Sequence, residues 1–268
     1  MSLQTFSLDA VQKLNQYVQT QLVLPASEQQ PALETRAAMA AEEPPEPSSL
    51  DMLGDMFRAG GFEEEDSPAP NTKGRWFIST IDPGAALYKL PGLSLKPGVR
   101  LVTYLQRRPD GGLGVTWALP ELMSTTTHLE EALEAAGDQP TPPRPRGALG
   151  HIMDGFTGDQ RPASYVSASL LLRHLKELGR TGKLRRWSHH RLIPAVPTQY
   201  SWQWKGNAPK DLSPKFKYLD EKSVMVEFFS CRVVPPVALF RHLDQYGSAY
   251  RAKSNDQVIA LLQAQPKG

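Results

Sequence analysis

The chain contains a single cysteine, Cys231, in 268 residues, so no disulfide can form within it. It also lacks a run of apolar residues approaching the 18 or so that a membrane-spanning helix needs. Residues 1–25 show neither the basic region nor the apolar region of a secretory signal. We therefore expect a soluble, cytoplasmic protein. Because Cys231 lies within an apolar run, we expect a buried structural thiol and not a nucleophile.

Local motifs for catalysis, metal binding and nucleotide binding are missing as well. The stretch Gly179–Leu184 has two residues between its glycines and a leucine after its lysine, whereas a Walker A loop needs four residues and then Ser or Thr. The six histidines are not spaced with carboxylates as metal ligands, and His151 with Asp154 would supply only two. The sequence therefore predicts no catalytic residue, metal site or cofactor, and an enzyme is the third of three interpretations.

Acidic and basic residues are separated along the chain. Residues 1–72 hold 12 Asp/Glu and 3 Lys/Arg, a net charge of −9, whereas residues 73–268 hold 16 Asp/Glu and 27 Lys/Arg, a net charge of +11. Within the basic part, residues 173–217 carry 11 Lys/Arg against two acidic residues. The total of +2 therefore conceals an acidic arm joined to a basic surface, a pattern typical of proteins that bind an anionic partner or themselves.

Residues 1–25 are predicted to form an amphipathic helix. Its apolar residues recur at spacings of three and four: Leu8, Val11, Leu14, Val18 and Leu22. Ser7 is a suitable N-cap, and Pro25 ends the pattern. We favour packing of this stripe against the rest of the chain, and a dimer or partner contact is the alternative.

Residues 26–72 are rich in Glu, Pro, Ala, Ser and Gln, a composition that predicts a disordered linker. Within it, residues 48–57 place Leu50, Leu53, Met56 and Phe57 on one face of a short helix between acidic flanks. This pattern is typical of a peptide that folds in the groove of a partner. The alternative is a plain linker whose apolar residues have no role.

Residues 73–268 are predicted to form a single α+β globular domain, with several helices packed on a mixed or antiparallel sheet. The predicted strands are 75–80, a hairpin of 99–106 and 113–119, 200–204, and a central strand over 223–234. The predicted helices are 129–136, 165–178, 236–246 and 254–262. The strands and helices do not alternate regularly, which is why we expect α+β and not α/β.

The basic stretch supplies the candidate binding residues. Arg173, Lys176 and Arg180 are predicted to lie on the exposed face of the 165–178 helix. We expect Trp187 to expose its ring, whereas Trp202 and Trp204 are expected in the core. The full predicted site is Arg173, Lys176, Arg180, Lys183, Arg185, Arg186, Trp187, Arg191, Lys205, Lys210, Lys215 and Lys217.

Two interpretations of this basic and aromatic surface compete. We favour docking to an acidic protein surface, as in a non-enzymatic regulator, adaptor or assembly factor. The alternative is binding of nucleic acid, either single strands or the phosphate backbone, through residues 173–217. In either case one hypothesis is that the acidic arm folds back onto the basic surface and blocks it until a partner displaces the arm. The alternative is that the arm and the basic surface bind separate partners.

Overall fold

The computed structural model describes residues 3–29, 74–108, 111–137 and 139–263. Residues 30–72 of the predicted linker lie outside these ranges, and so does the predicted binding peptide of Leu50, Leu53, Met56 and Phe57. The described chain is α+β with antiparallel sheets, as expected. In these ranges no helix has the length and apolar character needed to cross a bilayer.

The secondary structure is numbered here in chain order. The α-helices are α1 Leu8–Gln21, α2 Ala26–Gln29, α3 Thr126–Ala136 and α4 Pro162–Glu177. The strands are β1 Leu3–Thr5, β2 Trp76–Ile78, β3 Leu93–Leu95, β4 Val99–Arg108, β5 Gly111–Pro120, β6 Phe156–Gly158, β7 His190–Leu192, β8 Trp202–Trp204, β9 Lys215–Tyr218, β10 Val224–Arg232, β11 Ala238–Tyr246 and β12 Ala252–Leu262. Short 3₁₀ helices cover Pro83–Leu87, Glu121–Met123, Ile152–Gly155, Gly182–Leu184 and Trp187–His189.

The largest sheet has the order β1-β9-β10-β11-β12-β8, with β7 paired to the far end of β10. The prediction of a central strand over 223–234 is confirmed, because β10 pairs with β7, β9 and β11. Side chains of β10 alternate between two cores, as a strand requires. Val226 and Phe228 join the core beneath α4, whereas Phe229 and Cys231 join a core on the opposite face.

The predicted helix at 165–178 is confirmed as α4, which begins earlier because Pro162 occupies its first turn. The N-terminal helix is also present, and Val11 and Val18 are buried in the core that α1 shares with α4. The apolar stripe of α1 therefore packs against the rest of the chain, which is the alternative that the sequence favours over a dimer or partner contact. The hairpin is confirmed too, since β4 and β5 pair along their full length and β2 extends the sheet.

Two predicted helices are wrong. Residues 236–246 and 254–262 fall in the long strands β11 and β12, which pair with each other and with β10. The spacing of Phe240, Leu243 and Tyr246 resembles a helical pattern. The sequence of β11 does not show the alternation typical of a strand. Its residues that point towards α4 include the polar His242 and Asp244, which interrupt the apolar positions.

The described structure extends past the predicted start of the linker, since Ala26–Gln29 form α2 and Glu28 is only 3% exposed. The Glu28 carboxylate accepts hydrogen bonds from the Ser79 hydroxyl at 2.5 Å and from the Thr80 amide and hydroxyl at 2.7 Å. Its main-chain oxygen accepts from the Arg107 guanidinium, which also donates to Gly179 O. One glutamate thus joins the N-terminal region, the β4–β5 hairpin and the segment that follows α4.

We expect Glu28→Ala to lower the free energy of unfolding by about 2–4 kcal/mol, because it leaves the buried Ser79 hydroxyl and the Thr80 donors without their acceptor. Urea unfolding measures this loss, with an unchanged slope against denaturant. Glu131→Ala is the matched control on the exposed face of α3 and should change stability by less than about 0.5 kcal/mol. Equal effects of the two substitutions would contradict the proposed role of Glu28.

Candidate functional site

A cavity of about 830 Å³ lies where the C-terminal end of α4 and residues 180–189 face β7, β11 and β12. Its lining is dominated by cations. The lining residues with a full charge are Arg173, Lys176, Arg180, Lys183, Arg185, Arg186 and Arg232, against Glu177 and Asp256. Leu184, Val234, Pro235 and Phe240 add apolar surface to the wall. The cavity therefore combines a strongly positive rim with partly apolar walls.

The segment that carries the rim is folded back onto α4. Gly179 ends the helix with a φ of 81°, where a side chain would clash with Leu105. The Thr181 amide then donates to Gly112 O at 3.1 Å, which fixes the segment to the β4–β5 hairpin. The Glu177 carboxylate accepts from the amide of Arg186 and, at 2.7 Å, from that of Ser188. Glu177 is thus occupied by main-chain donors and does not pair with a side-chain cation in the described structure.

Five rim cations are exposed, and none of them forms an ion pair with another described residue: Lys176, Arg180, Lys183, Arg185 and Arg186. These five charges lie within residues 176–186, so each one raises the positive electrostatic potential at the others. A concave site of this kind concentrates anions and speeds their association. All five were predicted as binding residues, and the structure brings them to one cavity.

Arg173 is not exposed as predicted; it is 8% exposed and lies beneath the rim. Its guanidinium donates to both oxygens of Asp244, at 2.5 and 3.1 Å, and to Asp256 at 2.7 Å. Burial opposes the charge, but these carboxylates outweigh that effect and raise the pKa of Arg173. The prediction failed because it assumed one buried stripe on α4, whereas α1 and the sheet together enclose the helix.

Trp187 is also buried, at 9% exposure, so the prediction of an exposed ring is wrong. Its indole stacks on the His190 ring at a centroid distance of 5.4 Å and meets Phe228 edge to face. The indole N–H points to His174 Nε2 at 3.2 Å. The ring turns inward because the 3₁₀ helix Trp187–His189 brings it over the core.

A chain of hydrogen bonds runs below the cavity across four strands, β12, β11, β10 and β7. Asp256 Oδ1 lies 2.7 Å from His242 Nδ1, His242 Nε2 lies 2.7 Å from Ser230 Oγ, and Ser230 Oγ lies 2.7 Å from His190 Nδ1. His190, His242 and Asp256 line the cavity. The sequence does not indicate this series of hydrogen bonds, because the bonded residues are 12 to 40 positions apart and share no local motif.

Burial keeps both histidines neutral at neutral pH. It lowers the pKa of His242, and the nearby Arg173 lowers it further, although the hydrogen bond to Asp256 acts in the opposite direction. Burial also lowers the pKa of His190 to about 3, together with the adjacent His242 and Arg232. The order Asp256–His242–Ser230 resembles a hydrolase triad, but Ser230 is fully buried and does not line the cavity. The Ser230 hydroxyl therefore cannot meet a substrate in this arrangement.

The second half of the predicted basic surface lies elsewhere. Lys217 pairs with Glu227 at 3.2 Å, and Glu227 lies on the face of β10 opposite to Phe228 and the cavity. Lys215 pairs with Asp211 at 3.0 Å. The remaining predicted cations, Arg191, Lys205 and Lys210, are exposed and outside the cavity lining. The predicted surface thus falls into two parts. One is a cavity whose five exposed rim cations form no ion pair with another described residue, and the other is a separate set that includes two paired lysines.

The other sequence candidates have structural positions. His151 and Asp154 cap the 3₁₀ helix Ile152–Gly155: the His151 ring accepts from the Met153 amide, and the Asp154 carboxylate accepts from the His151 amide, both at 3.1 Å. Cys231 is buried, and burial raises the pKa of its thiol, as expected for a structural cysteine. Trp202 and Trp204 are half-buried against the core on the opposite face of β10. Across the described ranges, no cluster of three or more His, Cys, Asp or Glu could hold a metal ion.

We expect Arg173→Met to lower the free energy of unfolding by about 3–5 kcal/mol, because it leaves the fully buried Asp244 carboxylate without its cation. Urea unfolding at neutral pH checks this value. Arg180→Met, the same substitution at an exposed rim position, is the control and should cost less than about 0.5 kcal/mol. A small effect of Arg173→Met would show that the ion pair does not support this part of the fold.

Comparisons with protein families, with curated proteins and with solved structures give no match at a significant level. No activity or partner can therefore be transferred from a relative. The function of this chain has to be inferred from the geometry and charge of the cavity and of the residues beneath it.

Proposed function

We propose that this protein is a non-enzymatic binding protein, acting in the cytoplasm as a regulator, adaptor or assembly factor, that docks an acidic segment of a partner protein in the cationic cavity. The observation that carries this proposal is the set of exposed rim cations without ion pairs among the described residues, Lys176, Arg180, Lys183, Arg185 and Arg186. A volume of about 830 Å³ is in the range of ligand sites and admits a few side chains of a peptide.

The distribution of charge supports a protein ligand over nucleic acid. A nucleic-acid strand is usually followed by a continuous basic groove with exposed aromatic rings. In this protein the basic residues of 173–217 are divided between the cavity and other surfaces, and Lys215 and Lys217 are paired with carboxylates. Trp187 is buried, so its ring cannot stack on a base. Nucleic acid remains the second candidate because the rim guanidinium groups also suit phosphates.

Reversing four rim charges should strongly weaken binding to acidic peptides. We expect the combined Arg180→Glu, Lys183→Glu, Arg185→Glu and Arg186→Glu variant to bind a fluorescent oligoglutamate at least about 30-fold more weakly than wild type. Each lost attraction is worth up to about 1 kcal/mol, and new repulsion adds to that loss. Fluorescence anisotropy at low salt measures the change in Kd.

The matched control reverses four exposed lysines that do not line the cavity: Lys89, Lys96, Lys222 and Lys253. Because this variant has the same net charge as the rim variant, it should retain most of the affinity if the cavity is the site. Equal losses in both variants would indicate a nonspecific effect of net charge and would contradict the proposal. Tighter binding of a labelled oligonucleotide than of oligoglutamate, lost only in the rim variant, would favour nucleic acid.

We also propose that the acidic arm competes with the partner for the cavity. Residues 31–72 carry 10 Asp/Glu and 2 Arg, and they are tethered where Glu28 contacts the Arg107 side chain. A tethered segment competes at a high effective concentration, which makes a weak contact sufficient. Because α1 and α2 belong to the folded core, a deletion that tests this competition has to spare residues 3–29.

We expect replacement of residues 31–72 by a short Gly/Ser linker to strengthen oligoglutamate binding by about 3–10-fold. A short linker is sufficient because Gly74, like Glu28, lies against Arg107. As a control, full-length protein with the acidic residues of 31–72 changed to Asn and Gln should show the same gain. Unchanged affinity in both variants would exclude competition by the arm.

A further inference from the structure

The hydrogen-bond chain beneath the cavity fixes the proton positions on its two histidines. The Asp256 carboxylate can only accept, so His242 Nδ1 carries a proton and donates it at 2.7 Å. His242 is buried beside the guanidinium of Arg173, and both conditions keep its ring neutral. A neutral ring with a protonated Nδ1 has a lone pair on Nε2. His242 Nε2 therefore accepts the hydroxyl proton of Ser230.

The same reasoning assigns the proton on His190. The single hydroxyl proton of Ser230 is donated to His242, so its oxygen accepts the third bond of the chain from His190 Nδ1–H. Since the ring of His190 is neutral, Nε2 carries a lone pair. Within the described ranges this nitrogen has no hydrogen-bond partner, and His190 lines the cavity. His190 thus carries one preset hydrogen-bond acceptor that no other described residue occupies.

The surroundings of His190 indicate what kind of donor fits there. Its ring lies between the Trp187 indole, stacked at 5.4 Å, and the Phe240 ring, edge to face at 4.7 Å. Val234 and Pro235 continue this apolar surface. Aromatic ligand groups are favoured by such a wall, because ring contacts add to the burial of apolar area. The rim cations lie around the same cavity, where they are available to carboxylates.

We propose that the acidic segment docked in this cavity carries a tyrosine, whose ring packs against the Phe240 wall and whose hydroxyl donates to His190 Nε2. Neighbouring Asp or Glu side chains of the same segment pair with the rim cations. This inference rests on the proposed function and adds the residue that the segment inserts. A phenylalanine in that position would leave the His190 acceptor without a partner.

Two synthetic peptides test the inference: Glu-Glu-Glu-Tyr-Glu-Glu-Glu and the same sequence with Phe in place of Tyr. We expect wild-type protein to bind the tyrosine peptide about 3–10-fold more tightly, which is the contribution of one hydrogen bond. In Ser230→Ala, His190 Nδ1 loses its acceptor and the tautomer is no longer fixed. We expect the preference for tyrosine to fall towards 1 in this variant, with binding of the phenylalanine peptide retained.

His190→Phe is the second variant, for the case in which Ser230→Ala destabilises the fold. It keeps an aromatic ring against Trp187 and removes the acceptor, so it should also bind the two peptides equally. Nitrogen-15 NMR of the imidazole gives a readout independent of any ligand. Wild-type His190 should show a protonated Nδ1 and an unprotonated Nε2 at neutral pH, and Ser230→Ala should lose this pattern.

The outcomes separate this inference from the proposed function. Equal binding of both peptides by wild type, abolished by the four rim reversals, would overturn the tyrosine inference and leave the proposed function intact. Failure of wild type to bind either peptide would overturn both. A protonated Nε2 on wild-type His190 would also overturn the inference, because the cavity would then offer a donor. A tyrosine preference that persists in both variants would show that His190 is not the acceptor.

Discussion

The buried ion pair between Arg173 and Asp244 is the contact on which the rest of the site depends. Removing two full charges from water costs several kcal/mol per ion, so such a pair persists only where the geometry is close to ideal. Here the guanidinium donates to both oxygens of Asp244, and the Nη2 atom that makes one of these bonds also donates to Asp256. A lysine could not span both carboxylates with a planar fork. Arg173 thereby fixes α4 against β11 and β12.

Two polar contacts set the register between α4 and β11: the Arg173–Asp244 ion pair and a hydrogen bond between Ser169 and Tyr246. Ser169, one helical turn before Arg173, lies 2.7 Å from the Tyr246 hydroxyl, two residues beyond Asp244. Four residues of helix rise about 6 Å, and two residues of strand rise about 6.7 Å, so the two spacings match. Helix and strand therefore run in opposite directions with polar contacts repeated in step. Two residues further along the same face of β11 lies His242, which belongs to the hydrogen-bond chain under the cavity.

Sequence patterns predicted the elements that bury apolar residues regularly. The β4–β5 hairpin, the central strand β10 and α4 all have such patterns, and each lies where it was expected. The strands β11 and β12 were missed because their inward positions hold His242, Asp244 and Asp256, which resemble surface residues in a sequence. The buried His242 and Asp244 are stable inside only because Ser230, Asp256 and Arg173 are their partners. Such pairing depends on residues far apart in the chain.

For the candidate site, the sequence predicted the exposed rim cations but not the buried residues beneath them. The rim cations lie exposed and close together as predicted, because exposed charges that are neighbours in sequence are also neighbours in space. Arg173 and Trp187 were assigned to the same surface, although both lie below it. A local pattern cannot distinguish a rim cation from a cation that neutralises buried carboxylates. That distinction arises only when α4 is enclosed between α1 and the sheet.

The two kinds of cation give the cavity a layered charge. At its base, Arg173 is matched by the carboxylates of Asp244 and Asp256, and the Arg232 guanidinium adds a second cation 5.5 Å from the centre of the Phe240 ring. These charges balance while His190 and His242 stay neutral, so the base has no net charge that would attract a further carboxylate, and it favours a neutral donor. The rim has the opposite preference. A ligand that satisfies both layers has its charges outside and an uncharged hydrogen-bond donor at its inner end, which is the arrangement that a tyrosine between acidic residues provides.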